Sequence, residues 1–149
     1  MTSSRTVAEK MGIKSGWTAH LVGAPEEAVE ALRLPDVVVV EPLEGEVDYL
    51  HLFVRTREQL RRDFPALVPH VAPRGKLWVS WPKGGRLGSD LGLPSVIEIG
   101  YDSGMVESTC LRIDDTWAAL RFTHPKKGKT YRNSYGTLPP STNPETGDR

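Results

Sequence analysis

A run of four valines most constrains what this chain can fold into. The segment DVVVV, residues 36–40, is β-branched throughout its valines and shows no polar alternation among them. Such a run is typical of a strand covered on both faces, as in a parallel sheet. Pro35 ends the preceding segment, which reads as a helix over residues 25–33 with Val29 and Leu32 turned to the core. The valines therefore predict a buried strand that comes after a helix.

Strand and helix patterns alternate through the rest of the chain. Thr56 to Gln59 matches a capping box, and the helix after it carries Leu60, Phe64 and Leu67, with Pro65 expected to kink or split it. The remaining expected helices span residues 7–13 and 93–103, and the remaining expected strands span 18–22, 47–54, 77–81, 105–113 and 117–124. The last two strands read as a hairpin.

This alternation predicts an α/β fold in residues 1–124, a three-layer αβα sandwich. Its sheet is Rossmann-like and mostly parallel, with a C-terminal antiparallel hairpin. Ligands of such sheets bind beyond the carboxyl ends of the strands. That rule selects the loops that begin at Gly23, Glu41, Arg55, Trp81 and Asp114.

Composition narrows the class of protein. Nineteen basic residues balance nineteen acidic ones among 149, so no charge excess favours nucleic acid or an acidic membrane surface. Cys110 is the one cysteine, which fits a reducing cytoplasm. No apolar stretch reaches the roughly 20 residues of a membrane span. Residues 125–149 are polar and predict a disordered tail, whose segment PKKGKTYRNSYG leaves nucleic-acid binding as a minor alternative.

The layout resembles the S-adenosylmethionine-dependent methyltransferase fold over residues 16–124, shortened by one βα unit. The closing hairpin and the phrase APRGKLWVSWP, which is similar to that fold's L-x-P-G-G-x-L turn, carry the resemblance. It implies that Glu41 binds the cofactor ribose and that the Gly23 loop lies beside the methionine part. That loop, VGAPEE, departs from the family because it holds one glycine, and Pro25 removes an amide donor.

A second resemblance rests on the phrases WVSWPK and DDTWAALRF, which look like those of a small, mainly actinobacterial family of proteins of unknown function. It extends over most of residues 7–122. This resemblance implies the same fold and carries no activity with it.

The stretch WPKGGRLGSD supplies the first candidate site. Lys83 and Arg86 flank two glycines, and Ser89 or Asp90 is placed to cap the next helix. Open glycine amides beside two cations predict an anion-binding loop. The alternative is a solvated turn with both cations in water.

The final turn supplies the second candidate. Asp114 and Asp115 are adjacent carboxylates that fit either a ligand site or a turn that bonds its own backbone. Trp81 and Trp117 would wall a flat ligand if both face the crevice, or else fill ordinary core. The histidines show no zinc spacing, so no metal site is expected.

Two functions remain open. The first is a non-catalytic domain without a cofactor, whose crevice binds a small anionic ligand or a protein partner, with Asp114 orienting a base. The second is a divergent S-adenosylmethionine-dependent methyltransferase. A methyltransferase needs an open crevice between Gly23 and Glu41, whereas a scaffold would fill it with side chains such as Trp17 or Trp81. Self-association through an edge strand also stays open.

Overall fold

A computed structural model describes residues 5–126 and the backbone of residues 131–133 and 136–138. The helices are α1 (Val7–Met11), α2 (Glu26–Leu32), α3 (Arg57–Leu67) and α4 (Leu93–Asp102). The strands are β1 (Thr18–Val22), β2 (Val38–Val39), β3 (Val47–Phe53), β4 (Val71–Pro82), β5 (Val106–Arg112), β6 (Trp117–Thr123), β7 (Tyr131–Asn133) and β8 (Gly136–Leu138). A short 3-10 segment, Val68–His70, precedes β4, and a series of turns with non-helical backbone angles, Lys83–Gly88, follows it.

Six strands form one sheet in the order β2-β1-β3-β4-β6-β5. The first four strands in this order are parallel to one another, whereas β6 runs antiparallel to both β4 and β5. Helices α1 and α2 pack on one face with Trp78 and Trp117, and α3 and α4 pack on the other with Trp81 and Leu120. The predicted fold class, a three-layer sandwich that ends in an antiparallel hairpin, is confirmed.

The capping box and the apolar spacing in the sequence predict α3 correctly. Thr56 accepts a hydrogen bond from the backbone N–H of Gln59, and the Gln59 side chain accepts one from the backbone N–H of Thr56, so the expected capping box is present. Leu60, Phe64 and Leu67 are buried as their spacing predicts. Pro65 does not split the helix.

The prediction for the valine run is wrong. Its regular part is only Val38–Val39, which lies at the edge of the sheet, and these side chains are 55% and 57% exposed. The chain then crosses to β3 through residues 40–46 without a helix, and no further strand among the described residues pairs with β2. Val29 is also exposed rather than turned to the core, while Leu32 is buried.

Part of the expected tail has regular structure. Tyr131–Asn133 and Gly136–Leu138, within the segment 125–149 for which disorder is predicted, pair as a two-stranded antiparallel sheet. The other residues of that prediction beyond Lys126 lie outside the described part of the chain.

Candidate ligand-binding site at the carboxyl edge of the sheet

The predicted loops do meet at one edge of the sheet. Val22 pairs with Leu52, Phe53 pairs with Ser80, and Pro82 pairs with Trp117. The loops after β1, β3 and β4 and the turn before β6 therefore leave the sheet side by side. The backbone N–H of Lys83 donates to the carbonyl oxygen of Thr116 at 2.8 Å, which ties the last two together.

Gly23 follows β1 directly and lies close to the end of β3. Its φ is +70°, in the left-handed region, and a Cβ added there would lie 3.0 Å from the carbonyl oxygen of Phe53. Both constraints favour glycine. The loop therefore passes close to the backbone of the neighbouring strand.

Glu41 lies exposed just past the end of β2, the strand next to β1. Two hydrogen bonds hold the backbone before it. The N–H of Val40 donates to the carbonyl oxygen of Ala19 at 2.8 Å, and Nδ1 of His20 donates to the carbonyl oxygen of Val40 at 2.7 Å. The bond from Glu41 to Pro42 is cis. Residues of β1 therefore fix the position of the backbone just before Glu41.

No tryptophan fills the space between Gly23 and Glu41. Trp17 precedes β1, so it lies at the opposite edge of the sheet, and Trp81 belongs to β4, which β3 separates from β1. Neither of these two rings is therefore placed between Gly23 and Glu41, whereas the smaller side chains of Val22, Val40 and Leu43 pack against the core nearby.

The loop after β4 has an unusual backbone conformation. Gly84, Gly85, Leu87 and Gly88 all have positive φ, and Leu87 is an exposed non-glycine residue in that region. Such a conformation costs of order 1–3 kcal/mol at a non-glycine residue. Lys83 is half-buried and Arg86 is exposed.

Asp90 caps a different helix from the one predicted. Its Oδ1 accepts the backbone N–H of Arg57 at 2.8 Å, and its carbonyl oxygen accepts Nε of Arg57 at 3.1 Å. Arg57 is the first residue of α3, whereas Gly92 is the N-cap of α4. Asp90 therefore joins the loop after β4 to the loop after β3. Ser89 accepts the backbone N–H of Leu91 and caps no helix.

The expected tryptophan wall does not form. Trp81 is buried with Val79 on the face covered by α3 and α4. Trp117 is buried on the opposite face, where its ring meets that of Phe53 edge to face at 5.3 Å. The indole N–H of Trp117 is a buried donor with no hydrogen-bond partner among the described residues.

The Asp114 side chain stabilises the turn before β6. Asp114 Oδ1 accepts the backbone N–H groups of Thr116 and Trp117 at 2.9 and 2.8 Å, so this carboxylate is engaged by the turn and does not orient a base. The side chain of Asp115 is 95% exposed and lies 3.9 Å from Arg112. On the neighbouring strand β6, Arg121 donates to the side chains of Ser108 and Thr109.

A polar network that the sequence did not reveal lies inside the sheet. The Tyr49 hydroxyl contacts Nδ1 of His51 at 2.5 Å, and Nε2 of His51 contacts the Ser80 hydroxyl at 2.7 Å. All three residues are fully buried. Burial lowers the pKa of His51 to about 3 and raises the pKa of Tyr49. The imidazole is therefore neutral at physiological pH, and its burial keeps it from acting on a ligand at the surface.

Arg55 and Arg57 are the site residues that sequence reasoning missed. Both are exposed and come after β3, beside the loop that carries Lys83 and Arg86. The strand-end rule selects the loop at Arg55 and is the signal that could have found them. The link to the next loop depends on Asp90, 33 residues away from Arg57.

Among the described residues, no cluster of three His, Cys, Asp or Glu side chains is placed to hold a metal ion. Within the same part of the chain, none of the helices has the length and apolar character that a membrane crossing requires.

Burial raises the pKa of the Cys110 thiol, which lies on the outer strand β5.

Comparisons with solved structures identify the architecture. The ribosomal protein L11 methylase of Lactobacillus delbrueckii matches with a TM-score of 0.56 and 12% identity over 80% of this chain and 75% of that one. A SAM-dependent methyltransferase of Aquifex aeolicus matches with a TM-score of 0.55 and 17% identity over 78% and 86%.

A third match is the 1,6-didemethyltoxoflavin-N1-methyltransferase of Burkholderia thailandensis, solved with S-adenosylhomocysteine bound, at a TM-score of 0.54 and 12% identity over 80% and 75%. No family model matches the sequence, and no curated protein matches it. At these identities the likeness is one of fold, and the chain has the Rossmann-like fold of S-adenosylmethionine-dependent methyltransferases.

Proposed function

We propose that this protein is a divergent S-adenosylmethionine-dependent methyltransferase that binds its cofactor at the carboxyl edge of the sheet. The observation that carries the proposal is that Gly23 and Glu41 follow the carboxyl ends of adjacent parallel strands, β1 and β2. Gly23 approaches the end of β3 in a left-handed conformation, and Glu41 projects from the end of β2. A carboxylate there is placed to accept hydrogen bonds from the two ribose hydroxyls.

The residues fit the two halves of the cofactor unequally. Glu41 suits the adenosine half, because its carboxylate is exposed and the backbone of the preceding Val40 is held by Ala19 and His20. The Gly23 loop, which would lie beside the methionine half, offers fewer amides, since Pro25 has no N–H and is the N-cap of α2. We therefore assign most of the binding to the adenosine half. The bound cofactor would supply an activated methyl group.

The opposing candidate is a non-catalytic domain of the same fold. Asp114 is engaged by its own turn and His51 is buried, so neither is assigned a catalytic role. We also expect the chain to group with the small actinobacterial family that shares WVSWPK and DDTWAALRF, which carries no activity with it.

Calorimetric titration and thermal unfolding with S-adenosylmethionine and S-adenosylhomocysteine test the proposal. A ligand at 100 times its dissociation constant stabilises the native state by about 2.7 kcal/mol. We expect both compounds to bind and Glu41→Gln to weaken them about tenfold or more, because a hydrogen bond to a charged group is lost. Glu44→Gln is the matched control, since Glu44 is exposed in the same loop.

Three outcomes separate the functions. Binding that is lost in Glu41→Gln and kept in Glu44→Gln supports the cofactor site. Absence of binding to either adenosyl compound contradicts it. Binding of the cofactor without any S-adenosylhomocysteine produced in the presence of candidate acceptors favours the non-catalytic domain.

A further inference from the structure

The carboxyl edge of the sheet is divided by charge. Toward β1 and β2 it carries the acidic side chains of Glu26, Glu27 and Glu41, all exposed. Toward β3 and β4 it carries four cationic side chains, those of Arg55, Arg57, Lys83 and Arg86. The chain as a whole has no net charge, so the separation of acidic from basic side chains is a property of this edge.

The cationic half is held together by the fold. The backbone N–H of Val54 donates to the carbonyl oxygen of Ser80 at 3.0 Å, which keeps the two loops adjacent where they leave the sheet. Asp90 then clamps them by accepting both the backbone N–H and Nε of Arg57. The cations of the two loops are thus gathered by contacts distant in sequence.

Several carboxylates of this half are already engaged by the fold. Glu58, Asp90, Asp114 and Asp115 lie in the same loops as the four cations or in the turn beside them, and the Asp115 carboxylate lies 3.9 Å from Arg112. One oxygen of Asp90 is committed to the α3 amide, so this carboxylate already occupies the start of that helix. Asp114 is committed to its own turn. The side chains of Arg55, Lys83 and Arg86 are left to meet an anionic ligand.

Two unusual features lie in or beside the elements that carry these cations. The exposed Leu87 keeps a strained left-handed conformation in the loop between Arg86 and Asp90. The indole N–H of Trp117, a buried donor, has no partner in the described part of the chain, and Trp117 pairs with Pro82, the residue before Lys83. An ordered water or a ligand atom would satisfy such a donor.

We propose that this cationic half, Arg55, Lys83 and Arg86 with the Gly84-Gly85 turn, binds the phosphate group of a small phosphorylated molecule that serves as the methyl acceptor. The proposal rests on the proposed function, because the acidic half is then left to the cofactor. The two ligands occupy neighbouring halves of one edge, so they bind together rather than in competition.

Inorganic tripolyphosphate is the probe, measured by calorimetry on the full chain at about 0.15 M ionic strength, where long-range attraction between exposed charges is screened. We expect binding that the double variant Lys83→Ala/Arg86→Ala weakens about 10- to 100-fold, as the loss of charged hydrogen bonds implies. Arg55→Ala should weaken it by a smaller factor.

The matched control is Lys14→Ala/Arg74→Ala. It also removes one lysine and one arginine, but Lys14 precedes β1 and Arg74 lies near the start of β4, at the opposite edge of the sheet. Equal losses in the two double variants, or no binding of tripolyphosphate at millimolar concentration, overturn the proposal. Tighter binding of a single-stranded oligonucleotide at the same residues overturns it in favour of nucleic acid.

The same titration, repeated with saturating S-adenosylmethionine, tests the acceptor role. Unchanged affinity supports two neighbouring sites, and competition overturns the acceptor role, because the cationic half then belongs to the cofactor. Absence of cofactor binding contradicts the proposed function, and the tripolyphosphate titration without cofactor still decides whether the phosphate site exists.

Discussion

The buried histidine predicts a specific loss of stability in acid. His51 lies in β3 with no exposed surface, bonded on both ring nitrogens to Tyr49 and Ser80. In the native state burial holds its pKa at about 3, against 6.5 for an unperturbed histidine. Lowering the pH is therefore a perturbation that acts on a single known group in the core.

The sign is set by proton binding. Between pH 6.5 and 3 the unfolded chain protonates this histidine and the native state does not, so the free energy of unfolding falls as the pH falls. Each pH unit in that window costs about 1.4 kcal/mol. At about pH 4.5 the loss is about 3 kcal/mol, and it approaches about 5 kcal/mol at about pH 3. Above pH 6.5 the full stability is present.

Urea unfolding of the native protein and of His51→Gln, each at about pH 7.5 and pH 4.5, isolates this contribution. The glutamine amide has both a donor and an acceptor for Tyr49 and Ser80 but does not titrate. We expect the free energy of unfolding of the native protein to fall about 3 kcal/mol further between the two pH values than that of the variant. His70→Gln is the control, since His70 is only half-buried.

Equal losses in the native protein and in His51→Gln would refute the reasoning. So would an imidazole resonance of His51 that titrates at its unperturbed pKa in the folded state. Either result would mean that the network admits a charge, or that the ring reaches water more readily than its burial implies.

Three further changes test the packing and the loop contacts. Gly100→Ala should lose about 1–2 kcal/mol in urea unfolding, because a Cβ there would lie 2.5 Å from Cζ of the buried Phe122 ring, and overpacking outweighs the gain in helix propensity; equal stability would contradict this. Asp90→Ala should cost about 1 kcal/mol and speed hydrogen exchange of the Arg57 amide, and unchanged exchange would exclude the clamp. Asp114→Ala should cost about 1–2 kcal/mol in thermal unfolding through two lost hydrogen bonds; a larger effect on ligand binding than on stability would reassign this carboxylate to the site.

Elements that depend on neighbouring residues were predictable. The capping box of Thr56 and Gln59 and the spacing of Leu60 and Phe64 act within one or two turns, and the structure has both. The fold class was predictable in the same way, from alternating strand and helix patterns. The prediction for the valine run failed because β-branched residues suit an exposed edge strand as well as a covered one. The strand at Val38 is an edge because residues 40–46 cross directly to β3, and the four valines carry no information about that crossing.

The candidate site was less accessible to sequence reasoning, because it depends on contacts between distant residues. Gly23 and Glu41 were found through the rule of strand ends. The clamp of Asp90 on Arg57 and the opposite faces of Trp81 and Trp117 require the pairing of strands to be known. Adjacent letters in the sequence do not carry that pairing.

The Tyr49, His51 and Ser80 network has a consequence for how the sheet aligns during folding. Much of β3 and β4 is apolar on both faces, so burial alone discriminates weakly between neighbouring alignments of the two strands. A shift by one residue would turn His51 to the other face and separate it from Ser80, leaving buried polar groups unpaired. A histidine in the middle of this core therefore makes the native alignment of the two central strands the favoured one.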